Sequence, residues 1–298
     1  MRIGLAANQL HHDASDAALF RWLRACEPGI RELCMDLHVV GRTYDMLVGE
    51  DLMQDYPPLK RYPYGRFGGL MMLVAEVVGL GEERTIDGMI YLIDPVDPSS
   101  DYPEAAALKR QCVIHHKPFV STLAGAIDFI ECQRMHAGLT PMPAADRYFA
   151  LEGQTAALIA HDAMKDAMLD FAGTHFDMLS RFAARVATGT TGKLLNELAW
   201  AKGWPRERAW VTRYESGPMG GDAQIADLIL NHRCQRVIFF EDPHVARQHE
   251  ADIRLLERAV TTVTDEAICM TSPVVARHWT EAVARRRMAS NAPDRAKP

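Results

Sequence analysis

Four short motifs in this sequence recur at an offset of about 150 residues, near half the length of 298. Ile3-Gly4-Leu5-Ala6-Ala7-Asn8 pairs with Ala157-Leu158-Ile159-Ala160-His161, and Val39-Val40-Gly41-Arg42-Thr43 pairs with Ala187-Thr188-Gly189-Thr190-Thr191. Tyr64-Gly65-Arg66-Phe67-Gly68-Gly69-Leu70 pairs with Ser216-Gly217-Pro218-Met219-Gly220-Gly221-Asp222, and Ile93-Asp94-Pro95 with Glu241-Asp242-Pro243. A period this long marks a duplicated domain and not a solenoid unit. The division expected is a first domain over 1–138, a linker over 139–152 and a second domain over 153–288. A tail over 289–298 follows. Gly138, Pro141 and Pro143 make the segment around the linker rich in turns.

Within each half, short apolar runs alternate with helical patterns, which argues for an α/β fold with parallel sheets covered on both faces. Strands are expected in the second half near 156–160, 184–188, 209–214, 236–241 and 267–271, with the clearest helices over 222–232 and 250–261. Ligand sites in such sheets lie at the carboxyl ends of strands, and each motif above follows an expected strand.

Composition narrows the function classes. A net charge of -6 and the lack of a basic stripe argue against nucleic acid. The Arg285-Arg286-Arg287 cluster is short and reads as solvated. The six cysteines form no CxxC pair, so neither a zinc site nor a disulfide framework is expected, and reduced thiols in a cytoplasm are the simplest reading. No apolar run of membrane-spanning length occurs, and His11, His12 and Asp13 break any signal-like stretch near the start.

The chemistry concentrates in the second half. Ser216 to Asp222 packs glycine and proline too densely for a helix or strand interior, so it is a tight turn that opens a helix whose apolar-periodic run starts at Ile225. Backbone N–H groups and a positive dipole end there suit an anion, and the carboxylate of Asp222 beside it suits a general base. Thr188-Gly189-Thr190-Thr191-Gly192 is a second small-residue turn before a helix, able to cradle a phosphate, but it lacks the lysine of a P-loop. His161 and Lys165 fall on one side of a helix start, where Lys165 serves as a point charge for phosphate. Asp242, His249 and Asp252 follow the fourth strand and could move protons. Singly, each has an ordinary reading as a cap, turn or surface residue. No metal is expected from them.

Together, AHDxxxK, ATGTTG, SGPMGGD and DPxxxxxHxxD resemble methylglyoxal synthase over residues 153–280. The resemblance implies two tandem flavodoxin-like three-layer α/β/α domains. The implied reaction converts dihydroxyacetone phosphate to methylglyoxal and phosphate, with no metal or organic cofactor. It implies that Asp222 is the base and that His161 and His249 contact the substrate's carbonyl and hydroxyl oxygens. Asp162, Asp242 and Asp252 would orient these groups, while Lys165, Thr188, Gly189, Thr190, Thr191, Ser216 and Gly217 would hold the phosphate. The expected partners are a phosphorylated triose and inorganic phosphate, with no membrane and no nucleic acid. A homo-oligomer is also expected, rebuilt as a trimer that mimics the family's hexamer. The stretch from Ala201 to Tyr214 is longer than in the family, and the family's C-terminal arginine has no matching position.

The first half lacks the chemistry: Asn8 stands for His161, Arg42 for Thr190 and Leu70 for Asp222. It reads as a degenerate copy kept for packing, or as an anion-binding effector site built on Arg42 and Arg66. The alternatives to a lyase are a non-catalytic regulatory protein made of two such domains and a lyase or isomerase acting on another phosphorylated sugar.

Overall fold

Strand Arg2–Ala7 (β1) opens the first of two five-stranded sheets, and all strand pairs in both sheets are parallel. The computed structural model describes residues 1–81, 84–244 and 250–291; the side chains of residues 218, 250–253 and 291 are outside that description. The first half continues with α1 (Ala18–Glu32), β2 (Asp36–Val39), α2 (Gly41–Gly49) and β3 (Leu59–Arg61). It closes with α3 (Gly69–Val78), β4 (Gly88–Leu92), α4 (Pro103–Ile114), β5 (Phe119–Val120) and α5 (Leu123–His136). After a short α6 (Asp146–Phe149), the second half runs β6 (Thr155–Ala160), α7 (Lys165–Thr174), α8 (Phe176–Leu179), β7 (Ala184–Ala187) and α9 (Gly189–Ala201). It ends with β8 (Thr212–Arg213), α10 (Gly221–Leu230), β9 (Arg236–Phe240), α11 (Glu250–Thr262), β10 (Ile268–Met270) and α12 (Pro273–Asn291).

The sheets are ordered β3-β2-β1-β4-β5 and β10-β9-β6-β7-β8, which is one strand order read from opposite edges. The central strands are near-continuous apolar runs because helices cover both of their faces. Val237, Ile238, Phe239 and Phe240 of β9 are all buried, as are Ala156 to Ala160 of β6. The chain moves outward from β6 to β7 and β8, then returns to β9 on the other side. The crevice between β6 and β9 is therefore the switch point where doubly wound sheets bind ligands.

The expected strand at 209–214 shrinks to Thr212–Arg213. The side-chain amide of Asn196 captures the preceding residues instead: its Oδ1 accepts from the N–H groups of Trp210 (2.7 Å) and Val211 (3.0 Å), and its Nδ2 donates to the Val211 carbonyl (3.1 Å). Trp210 is then free to stack on Phe176, at 5.0 Å between ring centroids, and to lie under Arg185.

The two halves share their interior. α5 is buried on nearly every side, as a helix without a solvent face must be, and it touches both α1 and α12. The Thr122 hydroxyl donates to the Ala267 carbonyl (2.8 Å), and the Ala124 N–H donates to the Thr264 carbonyl (2.9 Å). The arginine cluster is not wholly solvated: Arg286 is buried and pairs with Glu131 (3.2 Å) and Asp146, while Arg285 and Arg287 are exposed. Burial explains the difference, since α12 turns only the middle arginine toward the carboxylates of α5 and α6. All six cysteines are unpaired thiols. No helix among the described residues is long and apolar enough to cross a membrane.

Candidate active site

The carboxyl ends of β9, β6, β7 and β8 lie side by side, and each delivers one of the motifs picked out in the sequence. His161 directly follows β6. Its N–H extends the ladder to the Phe240 carbonyl (3.2 Å), and its ring meets Phe239 edge-on at 4.9 Å between centroids. The backbone N–H of Asp242 donates to Nδ1 of His161 at 2.8 Å. A backbone amide can only donate, so Nδ1 is an acceptor and the ring proton of the neutral imidazole is on Nε2. This bond spans the switch point between β6 and β9. The Asp242 carboxylate accepts from the His244 N–H (2.9 Å) in an Asx turn that fixes the peptide facing the imidazole.

The two small-residue turns abut. Thr188 holds the N-cap position of α9 at the end of β7, and the Gly189 N–H donates to the Glu215 carbonyl (2.8 Å). A Cβ on Gly189 would lie 2.8 Å from the Ser216 nitrogen, so only glycine lets the loops approach this closely. Gly220 sits at φ +94°, and a Cβ on the next residue, Gly221, would be 1.9 Å from the Glu215 carbonyl oxygen. The N-termini of α9 and α10 thus open beside each other, which concentrates backbone donors and positive dipole ends for an anion. Gly221→Ala is expected to destabilise the chain by about 3 kcal/mol, the upper end of overpacking costs, and urea unfolding of the full chain measures it.

Asp222 is the second residue of α10 and is half-buried. Its carboxylate folds back over the turn: a Cβ on Gly217 would stand 2.7 Å from Asp222 Oδ2. Lys165, at the start of α7, pairs with the exposed Asp162 through its ammonium (2.5 Å). The helix start expected to carry both His161 and Lys165 begins with a tight single turn over Asp162–Met164, which separates His161 from α7 at Lys165. Thr191 is buried and Thr190 exposed. His249 lies outside the described residues. Asp252 is placed only by its backbone, in the first turn of α11. Among the described residues, no group of three His, Cys, Asp or Glu side chains is placed to hold a metal ion.

A cleft of about 530 Å³ opens beside the two turns, lined by Gly189, Thr190, Ser216 and Gln224 together with Lys193 and Arg213. The sequence reading missed these two cations. Lys193 stands one helical turn beyond Gly189, a spacing that would have found it. Gln224 accepts the Glu215 N–H through Oε1 (2.9 Å) and so braces the second turn.

The first half builds a sheet of the same strand order, with other side chains at the ends of its strands. Gly68 sits at φ +87°, and a Cβ on Gly69 would lie 2.0 Å from the Pro63 carbonyl oxygen, matching Gly220 and Gly221. Asn8 occupies the place of His161: its Oδ1 accepts from the Asp94 N–H (3.0 Å) as Nδ1 of His161 does from Asp242. Its Nδ2, however, donates to Asp97 (3.1 Å) and Ser99 (3.0 Å) within the first half's own loop. Leu70, at the place of Asp222, is buried in an apolar cluster.

The comparisons with known proteins fall on about a third of the chain, and the family model lies in the second half. An MGS-like domain model matches residues 167–264. The methylglyoxal synthase of Agrobacterium fabrum is 43% identical over 112 residues, covering 37% of this chain and 82% of the relative. That of Carboxydothermus hydrogenoformans is 43% identical over 102 residues, covering 34% of this chain and 77% of the relative. Among solved structures, the crystal structure of methylglyoxal synthase from Elizabethkingia anophelis is similar, with 35% identity, 42% of this chain and 76% of that chain covered, and a TM-score of 0.34. With four fifths of a relative aligned at this identity, the chain belongs to the methylglyoxal synthase family.

Proposed function

We propose that the second half eliminates phosphate from dihydroxyacetone phosphate to give methylglyoxal, and that the first half is a degenerate copy that does not catalyse. One observation carries the reading. The Asp242 N–H fixes His161 as a neutral Nε2–H donor at the switch point, on the strand beside the paired glycine turns and Asp222. A pure binding module has no need of that combination.

The Asp222 carboxylate takes a proton from the hydroxymethyl carbon. The electron pair moves into the adjacent carbonyl, and negative charge develops on its oxygen. The Nε2–H of His161 meets that charge with a hydrogen bond made strong by a partly dry site. Because the Asp242 N–H holds Nδ1, the imidazole stabilises the ene-diolate without being an imidazolium. The hydroxyl on the deprotonated carbon then gives up its proton and becomes the aldehyde carbonyl, the double bond shifts to the phosphate-bearing carbon, and the carbon–oxygen bond to phosphate breaks. The leaving dianion is held by the backbone and hydroxyls of Thr188, Gly189, Thr190, Thr191, Ser216 and Gly217, with Lys165 supplying charge. The released enol tautomerises to methylglyoxal. Holding the phosphate rigidly aligns the breaking bond with the ene-diolate π system, which favours elimination. His249, Asp162 and Asp252 complete the proton-transfer set in this reading.

The test is to incubate the full chain with dihydroxyacetone phosphate, without added metal, and follow methylglyoxal and phosphate together. Equal release of both is expected. Absence of release, with phosphate still bound, would move the chain to the regulatory reading.

A further inference from the structure

We propose that Lys109, on α4 of the first half, is a positioning residue for the reaction centre of the second half, a proposal that rests on the role given to His161 above. The Lys109 ammonium donates to both carboxylate oxygens of Glu241, at 2.8 and 2.9 Å, and also pairs with Glu257 of α11. Its side chain is 17% exposed and that of Glu241 is 9% exposed, so the contact is made away from bulk water. Glu241 is the residue immediately after β9. Its N–H donates to the Thr271 carbonyl (3.1 Å), and the next N–H along the chain is the one that holds Nδ1 of His161. An unbroken path therefore runs from the first half's ammonium, through the Glu241 side chain and the 241–242 peptide, to the imidazole.

The residue types fit this role. Glu241 and Glu257 converge from β9 and α11, and two carboxylates brought together in a partly dry site repel unless a cation lies between them. An ammonium with three donors can serve both. Without it, Glu241 must swing toward water, and the peptide behind it turns as well. The imidazole then loses the Asp242 N–H that holds Nδ1 as an acceptor. Lys109 also gives the first half a task in the reaction that requires none of the residues it has lost.

The test uses the full chain with labelled histidine. The ring nitrogens of His161 are read by NMR without substrate and assigned by comparison with His161→Gln. The native chain is expected to show one tautomer, protonated at Nε2. Lys109→Met is expected to show a mixture of tautomers and to lose up to about 100-fold in kcat with KM little changed, the cost of a small misplacement near the reacting atoms. Lys109→Arg keeps the charge and is expected to lie between the two. A native His161 signal in folded Lys109→Met would overturn the proposal. So would an unfolded Lys109→Met beside a Lys109→Arg with native signal and native kcat, because the residue would then serve folding alone. Since the tautomer is read without turnover, a native chain that releases no methylglyoxal would overturn the proposed function and leave this test standing.

Discussion

Asp222→Asn is expected to lower kcat by about 100- to 10,000-fold, the range that a positioned general base supplies, while phosphate binds as well as before or more tightly. The two effects separate because the substitution keeps shape and removes charge. An asparagine amide fits over Gly217 where the carboxylate lies now, so the turn that opens α10 persists. It cannot accept a proton from carbon, so the ene-diolate no longer forms. Affinity should move in the opposite direction, because a carboxylate beside the anion cradle repels a phosphate dianion and its neutral replacement does not. The checks are steady-state release of methylglyoxal and inhibition by inorganic phosphate. Loss of both activity and phosphate affinity would mean that Asp222 builds the turn, and would remove it as the base. Leu70→Asp is the converse case. It places a carboxylate at the equivalent helix start of the first half, where Asn8 is held by Asp97 and Ser99, and no second active site is expected.

The parts legible in the sequence are those whose cause is local. Ser216 to Asp222 announces its turn because glycine and proline restrict the backbone wherever they occur, and the turn is found with Gly220 at positive φ. The strands at Thr155–Ala160, Ala184–Ala187, Arg236–Phe240 and Ile268–Met270 lie close to the expected runs, because a strand covered on both faces is apolar at most of its positions. The segment around Trp210 failed for a non-local reason. It has strand composition, but an asparagine fourteen residues earlier takes its hydrogen bonds, and no period in the sequence records that. The same holds for His161. Its spacing marks a polar residue after a strand, whereas its tautomer depends on an amide 81 residues away. Lys109 carried no signal at all: on α4 it is one lysine among helix formers, and only the packing of the two halves brings it to Glu241. Local rules thus found the site's parts, and long-range contacts decide the state in which those parts are held.

Arg236→Met is expected to destabilise the full chain by about 3 to 5 kcal/mol, the cost of leaving a buried charge without its partner. Arg236 opens β9, a strand otherwise apolar throughout, and its side chain is fully buried. Nη2 donates to Asp128 of α5 (3.0 Å) and to the Tyr148 carbonyl (2.6 Å), and the guanidinium lies 4.4 Å from the centre of the Trp279 ring on α12. One side chain therefore links the second sheet to a helix of the first half, to the connecting segment and to the last helix. Removing it strands the Asp128 carboxylate, which is only 7% exposed. The pair need not add net stability, since burying two ions costs as much as their attraction returns in many cores. Nε and Nη1 of Arg236 have no hydrogen-bond partner among the described residues, which weakens the pair further. The double variant Arg236→Met with Asp128→Leu is therefore expected to recover most of the lost stability in urea unfolding. If it does, the ion pair acts mainly to specify how the halves dock: an arginine at the foot of an apolar strand accepts only the face of α5 that offers a carboxylate. If the double variant is as unstable as Arg236→Met alone, the guanidinium's contacts with Tyr148 and Trp279 hold the interface, and Asp128 is the lesser partner.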